Sequence, residues 1–224
     1  MSFLESKFGV YISRNPKEKY LPAFQEEIHV EILKQCTGIL HIGAHIGQES
    51  NLYSQMGKPV IFIEALPTVF SALAANIANQ ENQTCFNLLL GDRAQTVPFY
   101  IASNNSESSS VLPFASQEVF YNVTTTEIIT LEMKRLDEVF DASDLAIYNH
   151  WVIDVQGAEK LVLLGAGKLL ANCKSLVIEY STYEFYKNQI LYPDLQAFLY
   201  SQGFYNIFNP KNVVHSNMLF VRSG

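Results

Sequence analysis

Short apolar runs alternate with segments of helical periodicity along most of the chain. Runs typical of buried strands occupy residues 38–43, 60–64, 86–90, 151–155 and 175–180. Segments typical of helices lie between or after them, at residues 48–57, 67–79, 158–166 and 193–203. Continuous apolar strands separated by helices are typical of a parallel sheet that is covered on both faces. The pattern therefore predicts an α/β fold.

The alternation is interrupted between residues 91 and 145. Two segments rich in β-forming residues, 97–102 and 125–133, flank a polar stretch of serine and asparagine at 103–110. We predict that these two segments form an inserted hairpin or edge strands. A short helix is expected to follow at residues 135–140.

The C-terminal end of the sheet is predicted to be antiparallel. Strand patterns at residues 204–208 and 213–221 are joined by the four residues 209–212. A parallel crossover needs about a dozen residues or more, so this connection is too short for one. At the other end, a predicted helix over 23–33 belongs to an arm, residues 1–37, that packs on a single domain at 38–224.

Composition narrows the class of protein. The chain has 224 residues, a net charge of −7, and 48% hydrophobic against 17% charged residues, which excludes a disordered chain. Its few basic residues are scattered, so a nucleic-acid-binding surface is not expected. No apolar stretch is long enough to span a membrane. The three cysteines are widely separated, which favours free thiols and a cytoplasmic location.

Two features at the start of the sheet suggest a ligand site. The first strand runs into a glycine-rich turn at 41–47, where Gly43 and Gly47 either let a polar ligand approach the backbone or only serve the turn. Glu64 ends the second strand, about twenty residues later. An acidic side chain there is placed to accept hydrogen bonds from two ribose hydroxyls.

The order of motifs resembles the FkbM-type methyltransferases, which depend on S-adenosyl-L-methionine (SAM). The resemblance covers about residues 38–222 and rests on HIGAHIG (41–47), IEALP (63–67), GD (91–92), SSSV (108–111), LD (136–137), DVQGAE (154–159) and VIE (177–179). It implies the Rossmann-like fold of class I methyltransferases, with a seven-stranded, mostly parallel sheet and a C-terminal antiparallel hairpin. It also implies SAM as cofactor and methylation of a hydroxyl on a sugar, polysaccharide or secondary metabolite.

The resemblance assigns candidate roles on the cofactor side. The methionine end of SAM would be held by His41, Gly43, Ala44, His45 and Gly47, with Glu64 on the ribose and Asp92 near adenine. This chain has His41 and His45 where the family motif has Asp and Asn. We expect SAM affinity to fall below about pH 6.5, since a protonated His41 would repel the cationic cofactor. The spacing of His41 and His45 does not favour a metal site, and none is predicted.

Three residues are candidates for the acceptor side: Asp154, Glu179 and His215. Asp154 ends the fourth core strand, where it would orient the acceptor hydroxyl or take its proton. Its alternative role is that of a helix N-cap, whereas Glu159 is expected to be a helix residue favoured by the dipole. Glu179 is followed by tyrosines that suit a small hydroxylated molecule or a glycan. Gln156 replaces a glutamate of the family motif.

Three functions are consistent with these observations. The first is a SAM-dependent O-methyltransferase. The second is an inactive or SAM-binding module of the same fold, favoured by the substitutions at His41, His45 and Gln156. The third is a nicotinamide-dependent oxidoreductase, against which the hairpin ending and the lack of a G-x-G-x-x-G motif both count.

Overall fold

The computed structural model describes residues 26–116, 121–207 and 214–222. The strands are β1 (Ile39–Ile42), β2 (Val60–Glu64), β3 (Gln83–Asn87), β4 (Leu89–Leu90), β5 (Gln95–Ala102), β6 (Thr125–Lys134), β7 (His150–Ile153), β8 (Ser175–Ser181), β9 (Phe204–Asn206) and β10 (His215–Arg222). The helices are α1 (Glu26–Gln35), α2 (Ser50–Gln55), α3 (Pro67–Ile77), α4 (Leu136–Val139), α5 (Glu159–Ala166) and α6 (Tyr192–Ser201), with a 3₁₀ helix at Gly167–Asn172.

Seven strands form the main sheet in the order β3-β2-β1-β7-β8-β10-β9. Strands β1, β2, β3, β7 and β8 run parallel, whereas β10 is antiparallel to both β8 and β9. This arrangement confirms the predicted fold class and the antiparallel ending. The predicted connection at 209–212 lies outside the described residues. The strand order reverses between β1 and β7, and a crevice for ligands forms at such a point beyond the carboxyl ends of the strands.

Alternate residues of each central strand pack on opposite faces of the sheet. On one face, Leu40 and Ile153 lie in a core with α5 and α6. On the other face, Ile39 and Phe62 lie in a core with residues of α1, α2 and α3. The two-residue period of a strand therefore decides which layer each side chain joins. Among the described residues, no helix is long and apolar enough to cross a membrane.

The third strand differs from its prediction. We expected a strand over 86–90, but β3 spans Gln83–Asn87, and Leu89–Leu90 pair with β6 in a second sheet. The start of β3 is polar because the Gln83 amide is buried against Ser50, whose hydroxyl donates to Gln83 Oε1 at 2.6 Å. An edge strand needs only one apolar face, so its sequence lacks the continuous apolar run of a central strand.

The inserted hairpin is confirmed, although it forms a sheet of its own. Strands β5 and β6 pair antiparallel over most of their length, and β4 joins them in the order β4-β6-β5. Residues 103–116 first fold back on this small sheet, where Ser110 bridges Tyr100 of β5, and then reach the segment after β8, where Phe114 bridges Tyr186. Ser106 and Ser109 line the cavity at the carboxyl ends of the main strands. The insertion therefore brings the polar serine stretch to the crevice.

Helix α1 carries the described part of the predicted arm. Its buried residues Ile32 and Leu33 join the same core as Ile39 and Val60. In addition, His29 Nε2 lies 3.1 Å from Nε2 of the buried His150 at the start of β7. Residues 1–25, which include the start of the helix predicted over 23–33, lie outside the described residues.

Candidate active site

A cavity of about 240 Å³ opens at the point where the strand order reverses. Its walls come from the turn after β1, the end of β2, the segment before and within β4, the serine stretch and the end of β7. The acidic, polar and apolar side chains that line it include Glu49, Glu64, Glu107, Asp154, Gln48, Gln156, Ser106, Ser109, Leu88, Leu89 and Phe99. The sequence-predicted His41, Gly43, Ala44 and His45 also line it.

The backbone of the glycine turn is bonded internally rather than offered to a ligand. The N–H groups of Gly43 and Ala44 both donate to the carbonyl oxygen of Ile63, at 2.9 and 3.1 Å. The His45 N–H donates to Glu64 Oε2 at 2.9 Å. All three N–H groups are therefore bonded within the protein, and a cofactor-binding role for these residues stays a prediction. These hydrogen bonds fix the turn after β1 against the end of β2.

Packing explains both glycines of the turn. Gly43 has a φ of +81°, and a Cβ on it would lie 1.7 Å from the carbonyl oxygen of Asp154. Gly47 has a φ of +77°, and its Cβ would lie 2.7 Å from Leu73 Cδ1 on α3. Real atoms do not approach so closely, and L side chains rarely adopt these angles. The glycines are thus required by the turn and its neighbours.

Two main-chain N–H groups hold the Glu64 side chain in place. Oε2 accepts from the His45 N–H, and Oε1 accepts from the Leu66 N–H at 2.9 Å. Each carboxylate oxygen has a second lone pair, so the side chain can still accept from two hydroxyl groups in the cavity. Burial raises the pKa of Glu64, and the two backbone N–H groups oppose that shift.

The cavity lining combines acidic and apolar side chains. Among the described residues that line it, four are acidic and none is Lys or Arg. Four carboxyl groups attract a cation and disfavour a pyrophosphate. Leu88, Leu89 and Phe99 provide an apolar surface of the kind that suits an aromatic base. These features fit SAM, which carries a sulfonium and an ammonium group, and they do not fit a nicotinamide dinucleotide.

His41 has a different environment from the one expected. Its side chain lies on the same face of β1 as Ile39, buried with Nδ1 3.3 Å from the Tyr53 hydroxyl and its ring against Phe62. Burial lowers the pKa of His41. Burial therefore favours the neutral ring, and we now expect any loss of SAM affinity from protonation of His41 at a lower pH than the sequence alone indicated.

His45 connects the glycine turn to the serine stretch. His45 has a left-handed backbone, with a φ of 48°, and its Nε2 lies 3.1 Å from the carbonyl oxygen of Asn105. Asn105 and Ser106 also have positive φ angles, of 54° and 68°. Further along, the Ser110 hydroxyl donates to the carbonyl oxygen of Gln156 at 2.7 Å. The serine stretch thus forms one wall of the cavity and is bonded to two others.

A group of acidic side chains lies at the ends of β7 and β8. The Gln156 side-chain amide donates to Asp154 Oδ1 at 2.6 Å and to the two oxygens of Glu179 at 3.2 and 3.1 Å. His215, at the start of β10, lies with Nε2 2.9 Å from Glu179 Oε1. The three predicted catalytic residues are therefore brought together, with Gln156 between two of them.

Burial changes the titration of this group. It raises the pKa of Asp154, and burial together with the nearby Asp154 raises that of Glu179. Burial also lowers the pKa of His215. Glu159 is 4% exposed, and burial and Glu179 raise its pKa to about 8. A carboxyl group with a raised pKa is a stronger base than one in water, which suits proton transfer near neutral pH.

Comparison with known proteins identifies the chain. Residues 41–205 match the model of the methyltransferase FkbM domain. The chain belongs to the FkbM methyltransferase family. It is 25% identical over 182 residues to the 2-O-methyltransferase NoeI of Sinorhizobium fredii (strain NBRC 101917 / NGR234), covering 75% of each chain. It also resembles the crystal structure of the N-terminal domain of EvdMO1 with SAH bound, with a TM-score of 0.51, 10% identity, and coverage of 95% and 83% of the two chains.

Membership of the FkbM family confirms the predicted methyltransferase class and SAM as the cofactor. Membership of this family also excludes the nicotinamide-dependent oxidoreductase, in agreement with the acidic lining of the cavity. The structural likeness to the EvdMO1 domain supports the fold.

Two residues of the FkbM domain that were predicted to bind the cofactor lie away from the cavity. Gly47 is covered by Leu73 of α3. The Asp92 side chain faces Arg93 at 3.3 Å, and its carbonyl oxygen accepts from Arg135. Neither lines the cavity, and the nearby wall is formed by the apolar residues of β4. Of the predicted acceptor residues, Asp154 lines the cavity, whereas Glu179 and His215 lie behind it.

The helix-cap and tyrosine predictions need correction. The N-cap of α5 is Ala158, and Asp154 lies too early in the chain to cap it. Glu159 has a structural role beyond its place in the helix, since Oε1 accepts from the N–H groups of Val155 and Gly157 at 3.2 and 3.1 Å. Tyr180 packs against Tyr192 in the core, away from Glu179. Tyr186 instead reaches the site.

The acidic group has the composition of a cation site but not its arrangement. Carboxylate oxygens of Asp154, Glu159 and Glu179 lie within 4.8 Å of one another. The Gln156 amide, a hydrogen-bond donor, lies between Asp154 and Glu179, in contact with both. A donor in that position satisfies the two acids without a metal.

Proposed function

We propose that this protein is a SAM-dependent O-methyltransferase that acts on a hydroxyl group of a sugar, polysaccharide or secondary metabolite. The observation that carries the proposal is the Asp154 carboxylate, which lines the cofactor cavity and belongs to a group of buried acids with raised pKa values. The similarity to NoeI, a 2-O-methyltransferase, supports transfer to oxygen. The similarity to an EvdMO1 domain with SAH bound supports the same cavity as the cofactor site.

The residues of the first half of the sheet hold the cofactor. Glu64 accepts from the ribose hydroxyls, and the apolar surface of Leu88 and Leu89 packs against adenine. The carboxyl groups of Glu49, Glu107 and Asp154 surround the cationic end. When bound, the cofactor supplies an electrophilic methyl group. The closed backbone of the glycine turn keeps this wall in position without contributing its own donors.

The residues of the second half bind and deprotonate the acceptor. Asp154 Oδ1 is occupied by Gln156, and among the described residues Oδ2 has no hydrogen-bond partner. Oδ2 accepts the hydrogen of the acceptor hydroxyl and aligns its oxygen with the methyl group. The acceptor oxygen would take the methyl group of bound SAM, which would leave as SAH. The hydroxyl proton would pass to Asp154 in that step, where the raised pKa favours its retention. The pair Glu179–His215 then takes part in returning that proton to solvent.

A binding assay followed by a turnover assay tests this function. SAM and SAH are expected to raise the melting temperature of the protein, whereas NAD is not. Release of SAH is then measured with a panel of methyl glycosides and simple alcohols. Binding without SAH release for any hydroxyl compound would favour the SAM-binding module. A cytoplasmic location and a small-molecule or glycan acceptor belong to the same proposal.

A further inference from the structure

Gln156 uses every polar atom of its side chain within the candidate site. Its amide nitrogen contacts both Asp154 and Glu179, at 2.6 Å and at 3.1–3.2 Å. Its amide oxygen accepts from the Tyr186 hydroxyl at 2.7 Å. An amide with two hydrogens and one acceptor oxygen is matched by these three partners. When the two acids are ionised they only accept, which places the amide nitrogen towards Asp154 and Glu179 and the amide oxygen towards Tyr186.

The backbone of Gln156 is held from several directions. Its φ is +56°, an angle uncommon for residues other than glycine. The Ser110 hydroxyl donates to its carbonyl oxygen, and Glu159 accepts from the N–H groups on either side, those of Val155 and Gly157. Neighbouring structure must maintain such an angle against its cost, which is typical of functional sites. The position of the side chain is therefore set by its surroundings.

The charge of the side chain matters as much as its position. Asp154 and Glu179 are buried acids that disfavour each other's ionised form. A neutral amide supplies one donor to each without adding charge. A glutamate of the same shape would, when ionised, add a third carboxylate within about 3 Å of both and supply no donor. The glutamine that departs from the family motif is thus suited to this arrangement of acids.

We propose that Gln156 is a positioning residue that holds Asp154 and Glu179 side by side and thereby directs Asp154 Oδ2 towards the acceptor hydroxyl. Only the last step, in which Asp154 Oδ2 is directed towards the acceptor hydroxyl, rests on the proposed function. The bridging of the two acids stands on the hydrogen bonds alone. Tyr186 takes part by orienting the amide. Its hydroxyl oxygen also lies 3.0 Å from the carbonyl oxygen of Ser108, so its single hydrogen is shared between that carbonyl and Gln156 Oε1.

The groups that determine the titration of Asp154 come from several elements. They are Glu179 on β8, His215 on β10, Glu159 on α5, Tyr186 in the segment after β8, and Glu49 and His45 beside the glycine turn. A change at Gln156 removes none of these groups. It therefore isolates the contribution of the amide.

The first measurement is the pH profile of turnover for Gln156→Glu. The added carboxyl raises the pKa of Asp154, so the acidic limb of the kcat profile moves to higher pH. We expect kcat at pH 7 to fall about tenfold to a hundredfold, while the Kd for SAM changes less than about threefold. Gln55→Glu makes the same chemical change on the exposed surface of α2 and serves as the control. A profile that coincides with that of the unmodified protein overturns the proposal.

The second measurement does not depend on turnover. The glutamate introduced by Gln156→Glu is buried, so its pKa is higher in the folded than in the unfolded chain. The loss of stability that this group causes therefore begins near its unfolded pKa of about 4.3 and grows as pH rises towards 8. The melting temperature of Gln156→Glu should fall more between pH 5 and 8 than that of Gln55→Glu. Equal falls in both variants would show that the amide does not lie between ionisable acids, and would overturn the bridge.

The smaller change Tyr186→Phe completes the test. The ring packs on Gly157, where a Cβ would lie 2.7 Å from Tyr186 Cδ2, and phenylalanine preserves that contact. Only the hydroxyl that orients Gln156 is lost, so kcat should fall severalfold with KM for SAM unchanged; an unchanged kcat would remove Tyr186 from the arrangement. If the unmodified protein releases no SAH with any hydroxyl compound, the proposed function fails, while the melting curves still decide whether Gln156 bridges the acids.

Discussion

The two halves of the cavity are built in different ways. The cofactor half comes from consecutive elements, β1, the glycine turn and β2, and main-chain bonds such as those of Gly43 and Ala44 to Ile63 hold it together. The proposed acceptor half comes from the ends of β7, β8 and β10, where Asp154 lines the cavity and Glu179 and His215 lie behind it. Side-chain bonds between ionisable groups hold it together. The first is a backbone structure, and the second is a network of side chains.

This difference determines which substitutions each half tolerates. Main-chain hydrogen bonds do not depend on which side chains are present, so the glycine turn can keep its shape when side chains change. This is consistent with His41 and His45 at positions where the family motif has other residues. A network of buried acids is sensitive to a single charge or donor, because an unpaired or repelled group in a low-dielectric environment is costly. We therefore expect polar substitutions to affect catalysis in the acceptor half and backbone substitutions to affect folding in the cofactor half.

The largest effect is expected for Asp154→Asn. The amide keeps the shape of the side chain but cannot take a proton, and its oxygen can still accept from the Gln156 amide nitrogen. We expect kcat to fall by about 10²–10⁴, with a change in the Kd for SAM of less than about tenfold. SAH release and calorimetric titration of SAM measure the two quantities. Asp194→Asn, in the exposed first turn of α6, is the matched control. A loss of binding equal to the loss of kcat would contradict the division of the cavity.

Gly43→Ala tests the backbone of the cofactor half. The new Cβ would lie 1.7 Å from the Asp154 carbonyl oxygen, so either β7 or the turn must move. We expect a loss of about 3 kcal/mol or more in the free energy of unfolding. Gly57→Ala also places alanine at a positive φ, of 64°, but with no atom within 4 Å. This control should lose about 1 kcal/mol, and urea unfolding compares the two. Equal losses would mean that conformation rather than packing requires Gly43.

Glu64→Gln is expected to weaken SAM binding by about tenfold to a hundredfold. The amide nitrogen must face either the His45 or the Leu66 N–H, so one backbone donor loses its acceptor and the ribose loses a hydrogen-bond partner. Calorimetry with SAM and SAH measures the change. Glu81→Gln on the exposed loop before β3 should bind both ligands as the unmodified protein does. An unchanged Kd in Glu64→Gln would remove Glu64 from the cofactor half.

The sequence predicted the cofactor half better than the acceptor half. Continuous apolar runs located β1 and β2, and the positions of Gly43 and Glu64 followed from the local motif. The two-residue period of the strand also places His41 on the same face as Ile39, so the burial of His41 could have been predicted from the sequence pattern. The polar edge strand β3 was misplaced, because Gln83 is buried through a bond to Ser50 that lies 33 residues away.

The acceptor half depends on contacts that no local pattern encodes. In the sequence, Gln156 was visible only as a departure from the family motif. Its role follows from its hydrogen bonds with Glu179 and Tyr186, which lie 23 and 30 residues away. Glu159 was predicted to be an ordinary residue of the first helical turn. In the structure it is buried and accepts hydrogen bonds from the N–H groups of Val155 and Gly157, which stabilises the loop before α5. The signal that could have indicated both was the density of acids at the ends of β7 and β8, since buried acids need donors nearby.

The smallest effect is expected behind the cofactor half, where His29 of α1 meets His150. Burial lowers the pKa of His29 from 6.5 to about 4, and burial and His29 lower that of His150. Because the unfolded chain binds these protons more readily, stability is lost as pH falls from about 6.5 towards 4. His29→Gln should reduce that loss by about 1–3 kcal/mol in urea unfolding at pH 7, 5.5 and 4.5. Lys34→Gln on the exposed face of α1 leaves both histidines unchanged and should keep the full loss. Identical acid slopes for the two variants would mean that the histidine pair does not couple α1 to the sheet.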